Sequence, residues 1–213
     1  MKPGIIVYGL LAATLTACGG GGGGTESVVD AHAMAQLREV LNGRPDLPEG
    51  FADRPEQAWR VPFGRMDRTC RSVFDPAAGH APEQSLTGQA AVSYQGDGLG
   101  ERAAVGLARY AGDEAESHFD ELVRALESCQ AVRASGGTVL RARDLDLKDA
   151  ADAGDEVVAR RLRGRLNGYP YALDVVLSRA GDTLVSVVHA GMSDVDRERT
   201  KKLVAAVMSM STA

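Results

Sequence analysis

The stretch R-L-N-G-Y-P-Y-A-L-D-V-V-L-S-R-A-G-D-T-L-V-S-V-V-H-A, from Arg165 to Ala190, decides the fold class. Apolar runs rich in strand-forming residues are separated here by turn residues, and Asn167-Gly168 is a strong signal for a two-residue hairpin turn. A second tight turn is predicted at 180–182. Because connections this short cannot form parallel crossovers, we expect the sheet to be largely antiparallel.

Strand and helix signals extend outward from this stretch. Apolar residues at a period of two, or in short runs between turn signals, predict strands at 84–94, 102–110, 138–147, 156–166, 169–179 and 183–190. Helical spacing predicts amphipathic helices at 28–41, 113–129 and 194–210. Asp113 and Glu116 fit a capping box, and Asp194 and Asp196 are expected in the first turn of the last helix. The segment 45–74 is the least specified. This order predicts an α+β domain, with helices packed on one face of a largely antiparallel twisted sheet.

The N-terminal segment predicts export and anchoring. Lys2 and the apolar run that follows it have the order of a signal peptide, too short to span a bilayer. The sequence Leu15-Thr16-Ala17-Cys18 resembles the lipobox of bacterial lipoproteins, in which cleavage leaves a lipidated cysteine as the first residue. Six glycines follow, and a tether through residue 26 reaches about 15 Å as a flexible chain. The predicted organisation is signal peptide 1–17, lipidated cysteine and tether 18–26, and a single extracytoplasmic domain 27–213. The alternative is an ordinary signal peptide with a chance cysteine.

Lipidation of Cys18 leaves two of the three cysteines, Cys70 and Cys129, to be explained. Exported chains meet oxidising conditions, in which thiols pair readily. We therefore expect one disulfide, with two buried free thiols as the alternative. A metal site is not expected, because the histidines and cysteines lack the spacings of zinc ligands.

Charge and motifs exclude several function classes. The formal net charge of −5 gives no basic footprint for nucleic acid. No nucleophile elbow, zinc-protease pair or phosphate-binding loop is present, so we expect no catalytic residue, no cofactor and no enzymatic activity. Asp144 and Asp146 alternate on one strand, but exposed solubilising residues are the simpler interpretation. His118 and His189 lack a marked nucleophile.

Five arginines form the candidate binding residues, and we call them the arginine strip: Arg141, Arg143, Arg161, Arg163 and Arg165. Each group shares one parity on its predicted strand, so pairing of the two strands would bring all five to one sheet face. Guanidinium groups bind anions by two parallel hydrogen bonds. The alternative is a solvated face whose arginines pair with nearby carboxylates.

Several motifs together carry a resemblance to a known family. They are Leu-Pro-Glu-Gly-Phe after the first helix, the helix F-x-x-L-V-x-x-L-x-x-C ending at Cys129, and Gly154-Asp155-Glu156 leading into the meander. With the anchor, this layout resembles the PknH-like extracellular sensor domain family of actinobacteria. The resemblance implies a mixed α/β fold with an antiparallel sheet and a ligand-binding cleft. The chain departs from the family pattern in two ways. It allows one disulfide where the family commonly has two, and it has Leu126 where an aromatic residue often stands.

Two hypotheses follow, and a third is kept beside them. The first is a non-catalytic sensor or ligand-binding lipoprotein on the extracytoplasmic face of the cell membrane, held there by Cys18 and possessing an unidentified small-molecule or envelope ligand. The second is a structural or protein-interaction lipoprotein of the envelope, with a membrane protein as one candidate partner. The third is a hydrolase assembled from distant residues. A deep apolar pocket would favour the first, a flat apolar patch the second, and a buried histidine bonded to a carboxylate and a hydroxyl the third.

Overall fold

The computed structural model describes residues 30–43, 46–147 and 156–211. The predicted signal peptide, Cys18 and the glycine tether lie outside the described residues. Within these ranges the helices are α1 (Ala31–Asn42), α2 (Arg68–Phe74), α3 (Glu114–Ser128) and α4 (Arg197–Ser211), with one 3-10 helix, η1 (Pro76–Ala78). The strands are β1 (Leu86–Gln95), β2 (Arg102–Tyr110), β3 (Ala131–Ala134), β4 (Thr138–Asp144), β5 (Val157–Leu166), β6 (Tyr169–Ala180) and β7 (Thr183–Met192). No helix in the described ranges is long and apolar enough to cross a membrane.

The seven strands form one sheet in the order β1-β2-β7-β6-β5-β4-β3, and all neighbours are antiparallel. This confirms the predicted α+β class. The turn between β5 and β6 is confirmed as well, since Asn167 and Gly168 have φ of 50° and 88°, the positive values that a type I′ turn requires.

Helices cover both faces of the sheet, so the expectation that they lie on one face was wrong. One core lies between the sheet, α2 and α3 and contains Phe74, Phe119 and Leu173. The other lies between the sheet, α1 and α4 and contains Leu41 and Leu203. Because β6 and β7 are buried on both sides, their sequences are continuous apolar runs and not alternating patterns.

The segment 45–74 contains α2, which the sequence did not predict. The Asp67 carboxylate caps this helix by accepting a hydrogen bond from the Cys70 backbone N–H at 2.9 Å. Cys70 and Cys129 are joined by a disulfide with an S–S distance of 2.00 Å, which confirms the expected pair. The bridge therefore fastens α2 to the residue that ends α3.

Two smaller predictions were wrong at the ends of elements. Asp113 precedes α3, but its side chain makes no capping hydrogen bond. The last helix begins at Arg197 and not at residue 194, because the Asp196 carboxylate accepts from the backbone N–H of Arg199 at 2.7 Å and acts as the cap. The edge strand β3 was not predicted.

Candidate functional site

A groove of about 620 Å³ opens at the end of the sheet where β1 turns into β2 and β5 turns into β6. It lies on the face that carries α2 and α3. Its wall comes partly from strand ends and partly from residues 56–62, which lead towards α2. The lining combines aromatic, aliphatic and charged side chains, including Glu56, Trp59, Arg102, Leu166, Tyr171 and Met192.

Arg102 is the cationic group of the groove, and three acceptors fix its orientation. Its Nη1 donates to Glu56 Oε2 at 2.6 Å and to Ser93 Oγ at 3.0 Å, and Nη2 donates to Gln95 Oε1 at 3.4 Å. The Arg102 side chain is 32 % exposed and the Glu56 side chain 51 %. Arg102 therefore remains open to an incoming ligand, with its charge balanced by a carboxylate that solvent can reach.

Tyr171 and Trp59 supply the aromatic surface. Tyr171 is buried, its ring packs against Phe63 with centroids 6.3 Å apart, and no described residue forms a hydrogen bond with its hydroxyl. Burial raises the pKa of Tyr171 to about 12, although Arg102 opposes this shift, so the hydroxyl remains a donor at neutral pH. Trp59, the chain's single tryptophan, packs edge-on against Phe74. Tyr171 and Trp59 both line the groove, so a tyrosine and an indole contribute to its wall.

The arginine strip lies on the opposite face of the sheet, beside α4. β4 and β5 pair so that Arg141 is opposite Arg163, and Arg143 is opposite Arg161. Arg165 is opposite Val139, one step further along. The structure thus brings all five predicted residues to one face, as strand parity indicated. Whether the strip binds a ligand stays a prediction.

The members of the strip differ in their partners. Arg161 donates to both carboxylate oxygens of Asp174, from Nε at 2.6 Å and from Nη2 at 2.7 Å, and this hydrogen bonding raises its pKa. Arg163 approaches Asp194 at 3.4 Å. Arg165 donates to the backbone oxygen of Gly168 at 2.6 Å. Arg161 is therefore held within the fold, whereas the other four remain exposed.

Asp174 is the first of four residues in a buried polar network, which continues through Thr200, His189 and Glu101. Thr200 Oγ1 lies 2.7 Å from Asp174 Oδ2 and 2.8 Å from His189 Nδ1, and His189 Nε2 lies 2.9 Å from Glu101 Oε1. Asp174, His189 and Thr200 are 0 % exposed. This is the histidine with carboxylate and hydroxyl partners that the hydrolase hypothesis required.

Thr200 and His189 lie in the middle of this network of hydrogen bonds. The Thr200 hydroxyl donates to Asp174 Oδ2, and the two ring nitrogens of His189 lie between the Thr200 oxygen and Glu101 Oε1. Desolvation lowers the pKa of His189, opposed by Glu101 and Asp174. None of the four residues of the network lines the groove.

Arg199 and Phe51 close the outer end of the network. Arg199 Nη1 lies 2.9 Å from Asp97 Oδ1 and 3.3 Å from Glu101 Oε2. Its guanidinium carbon sits 4.7 Å above the ring of Phe51, which in turn contacts the His189 ring. The Leu-Pro-Glu-Gly-Phe motif therefore serves the packing of this network.

The remaining candidates are dispersed. Asp144 pairs with Arg160 at 2.9 Å on the face of α3, as expected of a surface carboxylate. His118 Nε2 lies 3.0 Å from the backbone oxygen of Gln84. Across the described ranges no three His, Cys, Asp or Glu side chains converge in a way that could hold a metal ion.

Comparisons with known proteins give a structural likeness but no sequence match. No family model matches the chain, and no curated protein matches it. Among solved structures, the crystal structure of the extracellular domain of PknH from Mycobacterium tuberculosis resembles it with a TM-score of 0.49 and 9 % sequence identity. The match covers 87 % of this chain and 93 % of that chain. At this level of similarity the comparison places the chain in no family.

Sequence reasoning missed the groove and most of the network. The groove forms from segments that are far apart in the chain. Its residues Trp59, Arg102 and Tyr171 therefore show no regular spacing in the sequence. One signal was available for the network, since Asp174 and His189 are polar residues inside apolar strand runs. Buried polar residues need partners, so they indicated a paired site in the interior.

Proposed function

We propose that this chain is a lipoprotein anchored by Cys18 on the extracytoplasmic face of the cell membrane, where its domain binds a small ligand in the groove without catalysis. The observation that carries the proposal is the convergence of the unpaired Tyr171 hydroxyl, the Arg102 guanidinium and the Trp59 indole. Such a site is concave and partly apolar, with few polar groups that fix orientation. It suits a planar or apolar molecule that bears a negatively charged or hydrogen-bond-accepting group.

The absence of catalysis is part of this proposal and rests on where the network lies. A nucleophile must reach its substrate, and Thr200 is fully buried with its hydroxyl already shared among Asp174, Asp196 and His189. The network has the contacts of an interior structural element that ties α4 to the sheet.

A second candidate function is protein interaction, and two exposed apolar side chains favour it. Leu99 is 80 % exposed and Tyr169 66 % exposed. Both lie at the end of the sheet where the groove opens, since Tyr169 begins β6 and the Met192 backbone N–H donates to the Leu99 oxygen at 3.0 Å. A membrane protein seated there would cover these side chains and the mouth of the groove.

The groove is tested by native mass spectrometry of the full chain purified from its own cells in mild detergent. We expect an added mass from a retained ligand, and its occupancy should fall about 5-fold to 10-fold in Tyr171→Phe, which removes one hydrogen bond. Exposed Arg65 lies outside the groove lining, so Arg65→Gln is the matched control and should retain the ligand. A clean apo mass for the unaltered protein, with a partner copurifying through Leu99 and Tyr169, would favour the interaction protein.

The anchor has a separate test. In Cys18→Ala the lipid attachment site is lost, so we expect the protein to move from the membrane fraction to the soluble fraction, because stable anchoring here depends on the acyl chains. Fractionation followed by immunoblotting measures this, with the unaltered chain as control. A Cys18→Ala protein that stays with the membranes would contradict the lipid assignment.

A further inference from the structure

The part of the sheet that carries the arginine strip has excess positive charge. Arg133 on β3 is opposite Val139 and so joins the strip on the same face. Of the six arginines, Arg161 is neutralised by Asp174, and Arg163 lies near Asp194. Among the described residues, no acidic side chain lies within 4 Å of the remaining four, Arg133, Arg141, Arg143 and Arg165. A cationic surface therefore stands on a chain whose net charge is −5.

The register places like charges directly opposite one another. Arg141 faces Arg163, with β-carbons about 5 Å apart as in any antiparallel pair, whereas Arg143 faces Arg161, whose charge Asp174 already balances. Like charges in this arrangement destabilise a sheet, so folding alone does not favour them. An anion between Arg141 and Arg163 would relieve the repulsion and accept hydrogen bonds from both of their guanidinium groups.

The shape of this face selects the kind of anion. On the same side of the sheet, α1 packs on β1, and α4 packs on β6 and β7. An α-helix with its side chains is about 10 Å in diameter, so the surface of the arginine strip lies below the outer surface of the neighbouring helix α4 and forms a step beside it. A flat membrane surface would rest on the helices, whereas a linear chain fits along the step. No aromatic side chain stands on the described part of β3, β4 or β5, so a peptide would find no aromatic anchor there.

We propose that the arginine strip, together with Arg133, binds a linear polymer that carries repeated phosphate groups. Arginine forks match phosphate oxygens, and successive charges lie about 5 Å apart across the strands and about 7 Å apart along them. A carboxylate has its two oxygens filled by one fork, whereas a phosphate group accepts from both arginines of a cross-strand pair. This site is independent of the groove on the opposite face.

The probe for this site is fluorescently labelled inorganic polyphosphate, and its affinity for the full chain in nonionic detergent is measured at 50 and 200 mM salt. With about four phosphate contacts, we expect the affinity of the unaltered chain to fall about 50-fold across this range, since each contact releases counterions. In Arg141→Gln/Arg143→Gln we expect affinity at low salt to fall about 100-fold and the salt dependence to halve.

The matched control removes the same charge elsewhere. Arg65 and Arg68 are exposed and lie near or on α2, which packs on the opposite face, so Arg65→Gln/Arg68→Gln should bind within about twofold of the unaltered chain. A second variant, Arg133→Gln/Arg165→Gln, should lose affinity in the same way and replaces the first variant if that one fails to fold. Absence of polyphosphate binding overturns the proposal, and so does an equal loss in the control. Binding to anionic phosphatidylglycerol vesicles without binding to polyphosphate overturns it in favour of a membrane surface.

Discussion

Arg161→Gln is expected to lower the free energy of unfolding by about 3–5 kcal/mol, because it leaves the Asp174 carboxylate charged and buried without its cationic partner. Asp174 is fully buried, and both of its oxygens accept from Arg161. The Thr200 hydroxyl donates one neutral hydrogen bond to Asp174 and cannot replace two charge-assisted hydrogen bonds. Urea denaturation followed by circular dichroism measures the change.

Arg163→Gln is the matched control for this variant. Arg163 is two residues away on the same strand and the same face, but its side chain is 52 % exposed and its ion pair with Asp194 is 3.4 Å long. Exposed pairs contribute about 0–1 kcal/mol, so the midpoint should barely move. Equal stability of the two variants would show that Arg161 is not structural. The predicted difference also means that polyphosphate binding must be tested through the other arginines.

Cys70→Ala/Cys129→Ala is expected to cost about 4 kcal/mol on the chain-entropy model, because the bridge closes a loop between residues 59 positions apart. Both cysteines are buried in the core beneath α2 and α3, so the variant also loses packing there. The midpoint of urea unfolding should fall accordingly. The measurement is made in a Cys18→Ala background, so that no third thiol can exchange.

Reductant supplies the control for the disulfide. The bridged protein should lose stability when dithiothreitol is added and approach the midpoint of the double variant, whereas the double variant should not respond. A bridged protein that unfolds at the same urea concentration with and without reductant would contradict a stabilising role for the bridge.

The fold class was predictable because its strongest signals are local. The pair Asn167-Gly168 favours a hairpin turn through its own backbone preference. The apolar runs on either side are typical of strands in the middle of a sheet. The segments that were missed depend on distant partners. α2 has only seven residues and is held by its Asp67 cap, by the burial of Val73 and Phe74 and by the bridge from Cys70. The short strand β3 is defined by its pairing with β4, which its own four residues do not reveal.

The candidate sites divide in the same way. Parity along two neighbouring strands was enough to gather the arginine strip, because register alone decides which side chains share a face. It did not reveal that Arg161 differs from the others, since Asp174 lies on another strand and gives no spacing signal. The groove needed the whole fold, as its polar groups come from three separated segments.

The position of β7 in the sheet affects how the chain folds as it emerges with its N-terminus first. β7 is the last strand in sequence, yet it lies between β2 and β6 and joins the β1-β2 hairpin to the β3–β6 meander. Neither half can complete its core until residues 183–192 have emerged, whereas Cys70 and Cys129 are available long before. Final assembly of the sheet therefore awaits residues 183–192, whereas the bridge is a long-range link that can form earlier and reduce the number of conformations to be searched.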